Sequence, residues 1–103
     1  MISDYYGHYS YNSKSISHNA ADKIGVYYCG YVNENNRLST LYVGRAAGDT
    51  DSIKSRLSDH LNNNRWPDVS HFGFYICDTK SEATDLEAKE IARLKPKYNS
   101  MGK

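Results

Sequence analysis

The sequence predicts one domain of mixed α and β structure. Three observations predict it: a β-hairpin pattern over residues 24–44, a separate strand pattern at residues 71–77, and an amphipathic helical stretch after each. At 103 residues there is room for one modest core and not for a second.

In the hairpin, Gly25-Val26-Tyr27 and Tyr42-Val43-Gly44 sit in β-prone runs, and Asn33-Glu34-Asn35-Asn36 between them is turn-forming. Alternation puts Gly25, Tyr27, Cys29 and Tyr31 on one face and Ile24, Val26, Tyr28 and Val32 on the other. Tyr27 and Tyr42 can then share one side, which cross-strand packing explains without any chemistry. After a Gly-containing loop at residues 46–51, Asp51 or Ser52 caps a helix reaching about Asn63, with Ile53, Leu57 and Leu61 as its apolar stripe. Arg56 and His60, four residues apart, project from one face of it, a spacing that on its own more often marks a solvated surface.

Trp66-Pro67 breaks the chain, because the residue before proline avoids helical geometry. The strand from His71 to Cys77 sets Phe72, Phe74 and Ile76 against His71, Gly73, Tyr75 and Cys77 on opposite faces. Thr79-Lys80-Ser81-Glu82 reads as a capping box opening a helix to about Leu94, and Pro96 stops it. Ala83, Leu86, Ile91 and Leu94 define its apolar arc, and Glu87 and Glu90 fall inside that arc. A carboxylate facing a core is costly unless paired or metal-bound. These glutamates therefore reach the rim, pair with Arg or His, or serve a site.

Residues 1–22 are rich in Tyr, Ser, Asn and His and poor in aliphatics, which predicts a mobile polar extension ahead of a domain at residues 23–103. The other use for its tyrosines is to stack on bases or cover a site. Thirteen basic against twelve acidic residues give a net charge of +1, so any positive surface for a nucleic acid must be local. A mean hydropathy of −0.76, no long apolar run and a polar start predict a cytoplasmic protein with no membrane span. Cys29 and Cys77 lack paired metal-ligand spacing and read as reduced core thiols.

Taken in order, Gly25-Val26-Tyr27, Tyr42-Val43-Gly44, Arg56-x-x-x-His60, Glu87 and Lys95-Pro96-Lys97-Tyr98-Asn99 resemble the GIY-YIG nuclease family over about residues 24–99. Val replaces Ile at both positions of the family name, and Glu87 stands twelve residues before Asn99. The resemblance implies an α+β domain with a three-stranded antiparallel sheet flanked by helices. It also implies metal-dependent endonucleolytic hydrolysis of DNA, duplex or branched, with RNA left open.

By the same resemblance, Glu87 would be the protein ligand to one divalent ion, Mg²⁺ or Mn²⁺. Tyr27 would lie by the attacking water as general base or orienting group, supported by Tyr42. Arg56 would hold the scissile phosphate, His60 would assist Tyr27 or contact phosphate, and Asn99 would brace the site. Arg45, Lys95 and Lys97 are further substrate-binding candidates, with Arg93 and Lys103 at the same basic end.

Two departures stand out: Glu90 occupies a position apolar in relatives, and no specificity domain accompanies the nuclease-like one. Glu90 is therefore either a second carboxylate near the metal or a partner for Arg or His. Self-association or a specificity-providing protein is expected to help binding. The alternative function is a non-catalytic nucleic-acid or protein interaction module that retains the fold.

Overall fold

A β-sheet with helices on both faces forms the centre of the structure, a computed structural model that describes residues 1–100; Lys103 lies outside the described residues. In chain order the elements are β1 (Tyr6–Ser10), α1 (Ser13–Asn19), β2 (Gly25–Val32), β3 (Leu38–Ala46), α2 (Ile53–Asn62), β4 (His71–Ile76), α3 (Lys80–Leu94) and α4 (Lys97–Ser100). The strands make one antiparallel sheet in the order β1-β4-β2-β3. In the hairpin, Tyr27 is opposite Gly44 and Cys29 is opposite Tyr42, with an irregularity between Cys29 and Gly30.

The sheet thus has four strands rather than the three expected, and the additional one comes from the N-terminal segment read as a mobile extension. β1 lies along β4, with Tyr6 opposite Phe74 and Tyr9 opposite Phe72. Asn12 then caps α1, its side-chain oxygen accepting from the Ser15 N–H at 2.8 Å, and α1 buries Ile16. Tyr5 is seated over Gly73, where a Cβ would come within 1.8 Å of the tyrosine hydroxyl. It stands edge-on to Tyr28 and Tyr75. The reason the sequence misled is physical: tyrosine lowers a hydropathy average while its ring supplies a large apolar area for burial.

If the segment is part of the fold, Ile16→Ala should cost about 2–5 kcal/mol of stability, as expected for a buried aliphatic truncated to a cavity. Ile2→Ala, at an exposed position, should stay within about 0.5 kcal/mol. Equal unfolding midpoints for these two variants in urea would return the segment to the status of a tail.

Both faces of the sheet are covered. Tyr27, Cys29, Phe72 and Phe74 pack with Ile16 of α1 and with Ile53 and Leu57 of α2. Val26, Tyr28 and Val43 pack on the other side with Ala83, Leu86, Ile91 and Leu94 of α3. Each large side chain fully withdrawn from water in these layers contributes about 1.5–3 kcal/mol before conformational entropy is charged against it.

Local signals set the helix starts. Ser52, rather than Asp51, caps α2 through reciprocal bonds with Ser55 of 2.9 and 3.1 Å. Thr79 caps α3 by accepting from the Glu82 N–H at 3.1 Å. The Glu82 carboxylate accepts in turn from the Asp78 N–H at 2.9 Å, one residue outside a standard box. Lys95 ends α3 in the left-handed region at φ 46°, ahead of Pro96. Cys29 and Cys77 are free and buried, and no helix among the described residues is long and apolar enough to cross a membrane.

Candidate functional site

With α2 on one face of the sheet and α3 on the other, the edge strand β3 is left as the floor between them. A cleft of about 620 Å³ opens there, and its lining includes Tyr42, Arg45, Asp51, Arg56, Lys80 and Glu87. Strand alternation explains why β3 offers both Tyr42 and Arg45, since they fall on opposite faces and the cleft straddles the edge. Arg56 comes from the flank of α2 beside its apolar stripe, and Lys80 and Glu87 come from the first half of α3.

Tyr27 and His60 lie behind this wall. The Tyr27 hydroxyl and His60 Nε2 are 2.8 Å apart. Both residues are buried, Tyr27 with no exposed surface at all. Gly44 makes that position possible, because a Cβ there would stand 2.5 Å from the Tyr27 hydroxyl oxygen. In Tyr42-Val43-Gly44 the glycine is therefore the seat for the ring of the opposite strand.

Trp66 closes the back of the site, with ring centroids 4.5 Å from His60 and 4.6 Å from Tyr42. Nothing in the spacing of the sequence pointed to it beyond a large aromatic in a polar break; its contacts arise only when the chain after α2 folds back over the sheet.

Burial sets the protonation of this cluster. It pushes the Tyr27 phenol well up, as does the neighbouring Tyr42, while the charge and hydrogen bonding of Arg56 pull it part of the way back. The Tyr42 phenol is raised by burial first and by the charge of Glu87 second. His60 is pushed down from 6.5 to about 4 by burial, with the charges of Arg56 and Arg65 adding to the effect. At neutral pH the cluster therefore holds two phenols and a neutral imidazole. The His60 Nδ1 is buried with no hydrogen-bond partner among the described residues.

A pH dependence follows. Folding holds His60 below its unfolded value, so between about 6.5 and about 4 the unfolded chain binds more protons than the folded one. This contribution to stability is complete above that window and is lost as the pH falls through it. The slope is at most about 1.4 kcal/mol per pH unit for one group. Thermal melts of the wild type and of His60→Gln at several pH values should differ in slope within the window and run parallel above it. Parallel curves throughout would place His60 in a wetter environment than this one.

The two glutamates of α3 have separate fates. Glu87 accepts from Arg45 Nη1 at 2.5 Å inside the cleft. Glu90 accepts the Tyr28 hydroxyl at 2.7 Å and a fork from Arg93 at 2.6 and 2.9 Å. Arg93 first, and Tyr28 after the opposing effect of burial, hold that carboxyl below its usual range. Of the two roles open to Glu90, it takes the arginine pair. It borders a different cavity, of about 290 Å³, with Tyr28 and Arg93.

Asn99 does not line the cleft. It clamps the backbone of Val43 instead, accepting from its N–H and donating to its carbonyl, both at 2.8 Å. This fixes β3 next to Tyr42. Lys95 and Lys97 do not line the cleft either: Lys95 is the cap of α3, and Lys97 lies 3.4 Å from Asp68, which also accepts from the Tyr98 hydroxyl at 2.5 Å. Of the substrate-binding candidates among the described residues, only Arg45 joins Tyr42, Arg56 and Glu87.

Among the described residues no group of three or more His, Cys, Asp or Glu is arranged to enclose a metal. The donor set nonetheless fits a hydrated Mg²⁺, which keeps most of its waters and binds through one or two carboxylates plus substrate oxygens. Glu87 supplies one carboxylate, in a cleft with room for a hydrated ion and a phosphate. Comparison of the chain with protein-family models, curated proteins and solved structures finds no match.

Proposed function

We propose that this chain is a metal-dependent endonuclease of the GIY-YIG kind, hydrolysing DNA phosphodiester bonds in the cleft between α2 and α3. The observation that carries this reading is the convergence of Tyr42, Arg56 and Glu87, far apart in sequence, on one cleft. The Tyr27–His60 pair stands directly behind it.

Arg56 presents a guanidinium to the phosphate and offsets charge that grows on its oxygens in the transition state. Tyr42, a phenol at neutral pH, accepts a hydrogen bond from the attacking water and aims its oxygen at phosphorus. Tyr27, buried and raised in pKa, serves this reading better as an orienting group than as a base. Its hydroxyl meets His60 Nε2 at 2.8 Å, while its ring packs on Tyr42 and Arg56 interacts with the phenol. Glu87 would hold the divalent cation, which when bound supplies Lewis-acid stabilisation of the phosphoryl oxygens. With a net charge of +1, tight DNA binding is expected to draw on a second copy or another protein.

One observation favours the alternative, a non-catalytic interaction module. The Glu87 carboxylate is already neutralised by Arg45, as an ion pair with a purely structural role would be. Supercoiled plasmid and a branched duplex, each incubated with Mg²⁺ or Mn²⁺ and with EDTA, separate the two. Cleavage that requires the cation supports the nuclease; retarded mobility of uncut DNA under every condition supports the module.

A further inference from the structure

Glu87 already has a cation in the form of the Arg45 guanidinium, 2.5 Å away. The acid side chain is 16% exposed and the arginine 46%, so the shielded partner is the carboxylate and the accessible one is the arginine. Of the two other cations that line the cleft, Lys80 is engaged by Asp49 and Arg56 interacts with Tyr27. A divalent ion within bonding distance of Glu87 would meet the Arg45 charge a few ångströms away. That is well inside a screening length and partly out of water, so the repulsion is strong. Arg45 has a long flexible stem and a planar fork suited to phosphate oxygens, and it follows Gly44 on the floor of the same cleft.

We infer that Arg45 is an exchangeable counter-ion: it neutralises Glu87 in the resting cleft and is released when a divalent cation binds there, becoming free to take a phosphate of the nucleic-acid backbone. This rests on the reading of Glu87 as a metal ligand and adds a regulatory property to it. A phosphate on Arg45 frees Glu87 for the cation, and a cation on Glu87 frees Arg45 for the phosphate. Cation and backbone therefore bind cooperatively, each strengthening the other by the same factor.

A Mg²⁺ titration followed by NMR tests this on the full chain, without DNA and without any reading of activity. The signals are the backbone amide of residue 87 and the side-chain Nε–H of Arg45, in the wild type, Arg45→Ala, Lys80→Ala and Glu87→Gln. In the wild type both signals should move along one binding curve, and Glu87→Gln should show no response at residue 87. Arg45→Ala should bind Mg²⁺ about 3- to 10-fold more tightly, the equivalent of removing one modest ion pair. Lys80→Ala, which removes a charge from the cleft without touching Glu87, should change affinity less than about twofold.

An Arg45 signal that stays still while residue 87 titrates would overturn the exchange and leave the metal reading standing. Equal or weaker Mg²⁺ binding by Arg45→Ala would do the same. No response at residue 87 in either the wild type or Arg45→Ala would overturn both.

Discussion

Cleavage should fall to the assay background in Glu87→Gln, with the fold intact. The substitution preserves side-chain volume and leaves an amide oxygen to accept from Arg45, so the wall of the cleft keeps its shape. It removes the negative charge, which a hard divalent cation requires. Stability should change by about 1 kcal/mol or less, because the Arg45 partner is 46% exposed and can solvate its charge when the pair is lost. Urea unfolding and cleavage measured on the same preparation check both halves of this statement. A Gln variant that cuts at the wild-type rate would remove Glu87 from the site.

Tyr27→Phe should slow single-turnover cleavage by about 10²-fold, the order of loss that follows when catalytic groups are displaced by an ångström or so. The ring, the strand propensity and the packing against Gly44 are kept; only the hydroxyl goes. Its loss leaves His60 with neither ring nitrogen bonded among the described residues, since Nδ1 already lacks a partner. Stability should fall by about 1–3 kcal/mol for the orphaned buried nitrogen.

Tyr28→Phe is the matched control, because Tyr28 faces the other layer and donates to Glu90, which keeps Arg93. It should lose a comparable or smaller amount of stability and less than about threefold in rate. Equal rates for Tyr27→Phe and Tyr28→Phe would mean that the Tyr27–His60 bond does no more than pack.

The parts of the fold that could be read from the sequence are those in which one local pattern decides the outcome. The hairpin, β4, α2 and α3 follow from alternation, four-residue spacing and capping residues, and the assignment of Phe72, Phe74 and Ile76 to one face agrees with their packing. The fourth strand was illegible because its signal is aromatic rather than aliphatic, and because what orders it is remote: β4 offers an open edge and Gly73 an open seat for Tyr5.

The site divides along the same line. Spacing alone brought Arg56 and His60 to one side of α2. Only the tertiary arrangement distinguishes Glu87 in the cleft from Glu90 at Arg93, since both lie in the same helical arc. Lys95 and Lys97 looked like part of a basic end, yet the left-handed cap at Lys95 and the Asp68 contact of Lys97 set them apart from the cleft. Trp66 became visible only through its stacking on His60 and Tyr42.

A Mg²⁺ dependence of the single-turnover cleavage rate decides whether this cleft hydrolyses DNA. One labelled branched duplex would be used with wild-type and Glu87→Gln proteins purified side by side. The wild-type rate should rise with Mg²⁺ to a plateau and vanish in EDTA, and the Glu87→Gln rate should stay at background at every concentration. Equal rates for the two proteins, or wild-type cleavage that persists in EDTA, would contradict a metal-dependent nuclease centred on Glu87.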